Sequence, residues 1–271
     1  MRWLWLLLVL GCNGFAQWET QTWIRSDTVD LPGTEVLALL EKVCPGHADA
    51  SGCQICPEGA PAGQQRWEVR AIFLGHFLSP VSQDALVSGF GCESHADGLG
   101  GRVLLSKVGT SWRRVRYITG PYADGCKKLT GSDGRDRLVR GNQDGGQGHM
   151  FSGLYVLDPA LVSRDGDLAG FFGVEDTIGA VENLCQSGYI ERVTFENLPA
   201  KNHVRIVVYA RLGQVTVPDS VIALENSGLG PIVKVATLER KYVFTFDGAK
   251  VIPDRNNPST MAPVTSYSIV K

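Results

Sequence analysis

From Trp67 onward, short apolar and β-branched runs alternate with polar turns at the two-residue period of strands. The pattern predicts strands over Trp67 to Phe73, Ala85 to Phe90, Arg102 to Val108, Trp112 to Thr119 and Phe151 to Leu157. It resumes over Tyr189 to Phe195, Val204 to Arg211, Ile232 to Leu238 and Tyr242 to Phe246. Asp247-Gly248, between Phe246 and Val251, marks a hairpin, because a tight reversal needs positive φ. One segment has a clear helical period. After Pro32-Gly33, Thr34 is placed to cap, and Val36, Leu39, Leu40 and Val43 recur at the spacing of a single apolar helix face. Ile178, Val181 and Leu184 predict a further helical turn or two between Asp176 and Cys185. The stretch from Asn256 to Pro263 reads as irregular, and Ser266 to Val270 as a last strand.

Three stretches share one plan: Phe77 to Val87, Lys128 to Val139 and Phe195 to Val208. Each runs from an apolar segment through a polar, turn-forming loop into a β-branched strand. Recurrence at roughly 50 to 70 residues is the mark of stacked units. The expected fold is mainly β, built of repeated antiparallel β-units in a β-propeller-like or related arrangement, with one N-terminal helix. The expected organisation is a leader over 1–16, a helix and cysteine-rich loop over 17–64, and a β-repeat domain over 65–271.

Composition narrows the setting. Arg2 is followed by an apolar run from Trp3 to Leu10, too short for about 30 Å of hydrocarbon but suited to a secretory leader. Gly14-Phe15-Ala16 offers a peptidase site that leaves Gln17 first. Alternatively, Val9-Leu10-Gly11-Cys12 resembles a bacterial lipobox, with Cys12 lipidated. The chain is therefore expected to be secreted or periplasmic, or held at the outer cell envelope through Cys12, and no later run has transmembrane length. A net charge of -2 excludes the basic footprint of a nucleic-acid binder. Within Trp112-Arg113-Arg114-Val115-Arg116 the alternation is that of an exposed strand face. The 32 glycines fit many turns and short strands.

Of seven cysteines, all but Cys12 follow the leader: Cys44, Cys53, Cys56, Cys92, Cys126 and Cys185. In an oxidising compartment they are expected to form disulfides, with the pairing left open. A sharper local alternative is zinc held by Cys44, His47, Cys53 and Cys56, a C-x-x-H…C-x-x-C arrangement of three thiolates and an imidazole. Cys53 and Cys56 lack the βαβ setting of a redox pair. Pro57 stands where covalent haem attachment needs a histidine.

At the three recurring stretches the chain resembles a known family. Val193-x-Phe195-x-Asn197-Leu198-Pro199-Ala200-Lys201-Asn202-His203-Val204-Arg205-Ile206-Val207-Val208 is similar to the FG-GAP and VCBS type repeat. Gly75-His76-Phe77 leading to Asp84-Ala85-Leu86-Val87 resembles a second copy, and Asp133-Gly134-Arg135-Asp136-Arg137-Leu138-Val139 a third. The resemblance implies a β-propeller-like fold of exported binding and adhesion proteins, with calcium in the acidic loops. Calcium needs several converging oxygen ligands. Lys201 and Arg205 stand where acids are usual, and Leu78, Pro80 and Val81 replace ligands, so calcium is expected only at Asp133 and Asp136.

Candidate catalytic groups are sparse. The histidines at 47, 76, 95, 149 and 203 are scattered, and the chain carries no H-E-x-x-H and no G-x-S-x-G. The densest polar run is Gly91 to Gly98, where Glu93, His95 and Asp97 define a hydrolase alternative. Trp67, Trp112, Tyr117 and Tyr122 lie in or beside strands, where rings fill space between sheets or stack on a partner. The primary expectation is a non-catalytic exported protein that binds a protein or carbohydrate partner through loop surfaces.

Overall fold

The computed structural model describes residues 23–57, 66–92, 100–118, 120, 122–146, 149–161, 168–176, 186–198, 203–214 and 237–254. The chain is mainly β, with three antiparallel sheets, one of them curled as a half-barrel, and one helix. That helix, α1 (Gly33–Val43), buries Leu39, Leu40 and Val43, the face its apolar spacing predicts. Its start differs from expectation. Pro32 is the N-cap and its carbonyl accepts from Glu35 and Val36 N–H, so Thr34 lies within the first turn and no side chain caps. Glu35 near the N-terminus and Lys42 near the C-terminus complement the helix dipole.

The first sheet runs β1 (Ala48–Asp49), β2 (Gly52–Cys53), β3 (Trp67–Gly75), β4 (Asp84–Phe90), β5 (Arg102–Val108), β6 (Ser111–Ile118), each strand beside the next. The second places β7 (Cys126–Thr130), β8 (Asp136–Gly146), β9 (His149–Leu157) and β10 (Leu168–Asp176) in a meander. The third does the same with β11 (Gln186–Leu198), β12 (His203–Gln214), β13 (Thr237–Phe246) and β14 (Val251–Pro253). Seven of these strands, β3, β4, β5, β6, β9, β11 and β12, are legible in the sequence to within a few residues. β1, β2, β7, β8 and β10 are not, apart from the strand, loop, strand plan noted for Lys128 to Val139; β13 runs unbroken from Leu238 to Tyr242, where a break is expected, and 232–236 lie outside the described residues.

Strand parity sorts the core into layers. Ile72, Ala85, Val87, Val103 and Leu105 of the first sheet pack against α1 with Trp67, while Phe73, Leu86 and Leu104, on the opposite face, meet Cys126, Leu138 and Leu157 of the second. The second sheet's other face, Leu129, Val139, Leu154, Val156 and Val174, meets Ile190, Val204, Ile206, Val208, Tyr242, Phe244 and Phe246 of the third. The order is helix, sheet, sheet, sheet. It explains why β4 is buried along nearly its whole length, as strands covered on both faces are continuous apolar runs, while edge strand β6 alternates. The helix and the cysteine loop share their core with the first sheet.

An extended segment before α1 ties the layers. Trp23 carbonyl accepts from Val193 N–H, Asp27 N–H donates to Cys126 O at 2.9 Å, and Val29 N–H donates to Ile72 O at 2.9 Å. The Asp27 carboxylate accepts from Lys128 N–H at 2.9 Å and from Lys127 Nζ at 2.8 Å. The segment thus covers the otherwise open edges of β3 and β7, whose unpaired backbone groups would be templates for aggregation.

Candidate functional site

The recurring stretches become the β3–β4, β7–β8 and β11–β12 hairpins, and the loops of the first two lie against each other. In two of them the first residue of the second strand is a buried aspartate, Asp84 or Asp136. Asp84 Oδ2 accepts from Leu78 N–H at 2.8 Å and from the Ser82 hydroxyl at 2.5 Å, fixing its own loop. Asp136 reaches across layers: its Oδ2 accepts from His76 N–H at 2.9 Å, its Oδ1 from the Thr130 hydroxyl at 2.6 Å, and its own N–H donates to His76 O. Close approach demands glycine at two places. A methyl group on Gly75 would sit 2.6 Å from Asp136 Oδ2, and Gly248, at φ +99°, lies against the Ser132 backbone.

At the loop where calcium is expected, the carboxylates have protein partners. The Asp133 carboxylate is taken by two guanidiniums, with Arg137 Nη1 and Nη2 each donating at 2.8 Å and Arg135 Nε at 2.9 Å. Asp158 closes the network, accepting from Arg135 Nη2 at 3.0 Å and Arg137 Nε at 3.2 Å. Hydrogen bonds from Arg137, then Arg135, hold the Asp133 carboxyl far below the ordinary carboxylate range. Asp136 accepts with one oxygen from His76 on the neighbouring loop and with the other from Thr130 of its own hairpin, so both its oxygens have partners within the protein. Among the described residues no group of three or more His, Cys, Asp or Glu side chains is arranged to hold a metal. Asp158 carries no signal of this network in the sequence, because it joins Arg135 and Arg137 from more than twenty residues away.

The zinc reading is corrected. Cys44 is bonded to Cys53, and Cys56 to Cys92, which consumes all three thiolates that zinc required. His47 instead uses its backbone: its N–H donates to Cys44 O and its carbonyl accepts from Gln54 N–H. Cys126, expected in a disulfide, is a free thiol buried between the first two sheets, and burial pushes its pKa up to about 12. Cys185, Glu93, His95, Asp97 and the leader with Cys12 lie outside the described residues. Two disulfides belong to the chemistry of an oxidising compartment, and among the described residues no helix is long and apolar enough to cross a membrane.

The rings singled out in the sequence divide. Trp67 is fully buried and donates Nε1–H to Gly100 O, and Tyr117 donates to the same carbonyl at 3.1 Å. Trp112 carries the Lys107 ammonium 5.8 Å from its centroid, and Tyr122 meets Phe90 edge-on at 6.0 Å. Tyr117 and Trp67 are structural.

A cleft of about 550 Å³ opens where the second and third recurring stretches face each other, within the size range of ligand sites. Lys127, Lys128, Leu129 and Thr130 of β7 form one wall; Phe195, Asn197, Leu198, His203 and Val204 of the β11–β12 hairpin form the other. Lys127 is paired with Asp27, and Lys128 Nζ donates to Leu74 O at 2.7 Å with Asp136 at 3.8 Å, so both ammonium groups are held in place. His203 and Asn197 add a polar wall beside the half-buried Phe195 ring. Donors, an amide and a ring of this kind recognise a ligand by contact and hydrogen bonding, and Thr130 adds a hydroxyl held by Asp136 at 2.6 Å. The chain matches no family model, no curated protein and no solved structure.

Proposed function

We propose that this chain is an exported, non-catalytic β-repeat protein that binds a ligand or protein partner in the cleft between β7 and the β11–β12 hairpin. One observation carries the reading: two of the three recurring stretches, spaced far apart in sequence, supply nearly the entire lining of one ligand-sized cleft. A degenerate FG-GAP or VCBS type of repeat accounts for this placement, its loops keeping their shape through arginine and backbone bonds in place of calcium. Export is supported by the two disulfides. Its direct check is the intact mass of the secreted protein, which begins at Gln17 or carries lipid on Cys12.

The test of the cleft is saturation-transfer NMR with a panel of short peptides and oligosaccharides against the wild type and against Asn197→Ala and His203→Ala. Ligands bound by the wild type are expected to lose about tenfold in affinity in both variants, the loss of one or two hydrogen bonds from a desolvated site. Binding indifferent to both substitutions, or no binding by any panel member, refutes the proposal.

A further inference from the structure

The strand that forms one wall of the cleft, β7, lies at the edge of its sheet, and the segment before α1 covers only part of that edge. Asp27 N–H donates to Cys126 O at 2.9 Å, and the Asp27 carboxylate accepts from Lys128 N–H at 2.9 Å. The backbone groups of Cys126 and Lys128 therefore point away from β8. Along an antiparallel strand successive residues turn their N–H and C=O to opposite sides, so Lys128 C=O and both backbone groups of Thr130 point off the same edge. Gly131, next in line, points the other way, its N–H donating to Arg135 O at 2.8 Å across the turn. Neither Lys128 C=O nor the Thr130 backbone groups have a partner on that edge among the described residues.

These open groups lie in the lining of the cleft, and Thr130 is exposed. Between them, the Leu129 side chain turns toward the third sheet and belongs to the core against which the half-buried Phe195 ring packs. The charges around the edge are already balanced. Lys127 Nζ meets Asp27 at 2.8 Å, and Lys128 Nζ lies 3.8 Å from Asp136 while donating to Leu74 O.

We infer that the cleft takes an extended, uncharged peptide segment of a partner protein, added as a strand to the edge of β7. Its backbone pairs with Lys128 C=O and with Thr130 N–H and C=O, and one apolar side chain lies between Leu129 and Phe195. The inference rests on the cleft reading and names what the cleft holds. The protein supplies the precedent on the same strand: an extended backbone, that of Asp27, is already docked at Cys126, and the peptide continues along the edge where that segment departs. Open donors and acceptors two residues apart match the repeat of an added strand, with side chains alternating between the cleft and the opposite face. A sugar carries no such repeat. Because each lysine has its carboxylate, an acidic segment gains nothing over a neutral one.

The test is NMR titration of the isotope-labelled protein with Ac-Ser-Thr-Val-Thr-Ser-NH2 and with the same peptide N-methylated at every residue, reading chemical shifts and amide hydrogen exchange. Expected with the first peptide is exchange at the Thr130 amide slowed about tenfold or more at saturation, with Leu129, already in the β7–β8 ladder, unchanged. The methylated peptide should give no protection. Thr130→Pro, which removes the donor from an edge position, should weaken binding about tenfold, with circular dichroism confirming its fold. Should that variant fail to fold, the wild-type exchange and the methylated peptide carry the test. Shifts at Asn197 and His203 without protection of Thr130, or equal binding of the methylated peptide, overturn the backbone pairing and leave the cleft reading standing. Slow Thr130 exchange before any peptide is added assigns the edge to another part of this chain or to a second copy, and also overturns it. No shift in the cleft with this peptide overturns the inference, while binding of an oligosaccharide there would still uphold the cleft reading.

Discussion

Removing one carboxylate, by Asp27→Ala, tests how the layers are joined. In the folded chain this side chain, 29% exposed, accepts from the Lys128 backbone N–H and from the Lys127 ammonium. Alanine strands the backbone N–H on the covered edge of β7, at about 1–3 kcal/mol for an unsatisfied, partly buried donor. The lost ion pair adds only about 0.2–1 kcal/mol, since both partners are about a third exposed and screened by solvent. A total of about 2 kcal/mol corresponds to roughly 4–8 °C in melting temperature for a chain of this size. Asp27→Asn separates the two contributions, because its side-chain oxygen still accepts from Lys128 N–H while the charge is gone. It is expected to recover most of the loss. Chemical denaturation of the three proteins, with hydrogen exchange at the Lys128 amide, reads the result. An Asn variant as unstable as the Ala variant, or an Ala variant within about 0.5 kcal/mol of wild type, refutes the latch reasoning.

The two disulfides should differ in worth. Cys56–Cys92 spans 36 residues and Cys44–Cys53 only 9, so chain entropy assigns about 3.8 and about 2.6 kcal/mol, and paired serine variants should rank in that order on denaturation. Arg137→Ala leaves Asp158 and Asp133 without their main partner and should cost about 3 kcal/mol, while Arg137→Met, which keeps the packing of a side chain 5% exposed, should cost less. Because the folded Asp133 carboxyl lies below its ordinary 3.8, its contribution is fully present above that pH and is lost as pH falls below it. An acid titration of stability should therefore be shallower below about pH 4 in Asp133→Asn than in wild type. Cys126, buried with its pKa raised to about 12, should resist alkylation in the native protein and react fully once unfolded; rapid native labelling contradicts its placement.

Local pattern was enough for α1, for most strands of the first and third sheets, and for the Asp247-Gly248 reversal, because amphipathic period and turn chemistry act between near neighbours. Local pattern also found the three recurring stretches. Their meaning needed the fold. Asp136 looks like a calcium ligand beside Asp133 in sequence, yet in space it serves His76 and Thr130, sixty and six residues away, while Arg137 claims Asp133. The thiols at 44, 53 and 56 suit zinc by spacing alone; the partner that decides otherwise for Cys56 is Cys92, beyond the reach of any local motif. β10 escaped notice because its glycines carry no strand propensity, and only their pairing with the rings of Phe151 and Tyr155 on β9 gives them a strand's role. The sequence by itself determined a β-rich chain with one helix and hairpins of a common plan. Which loops touch, which charges neutralise each other and which cleft results were decided by layer packing, since those contacts join residues whose separation along the chain leaves no periodic trace.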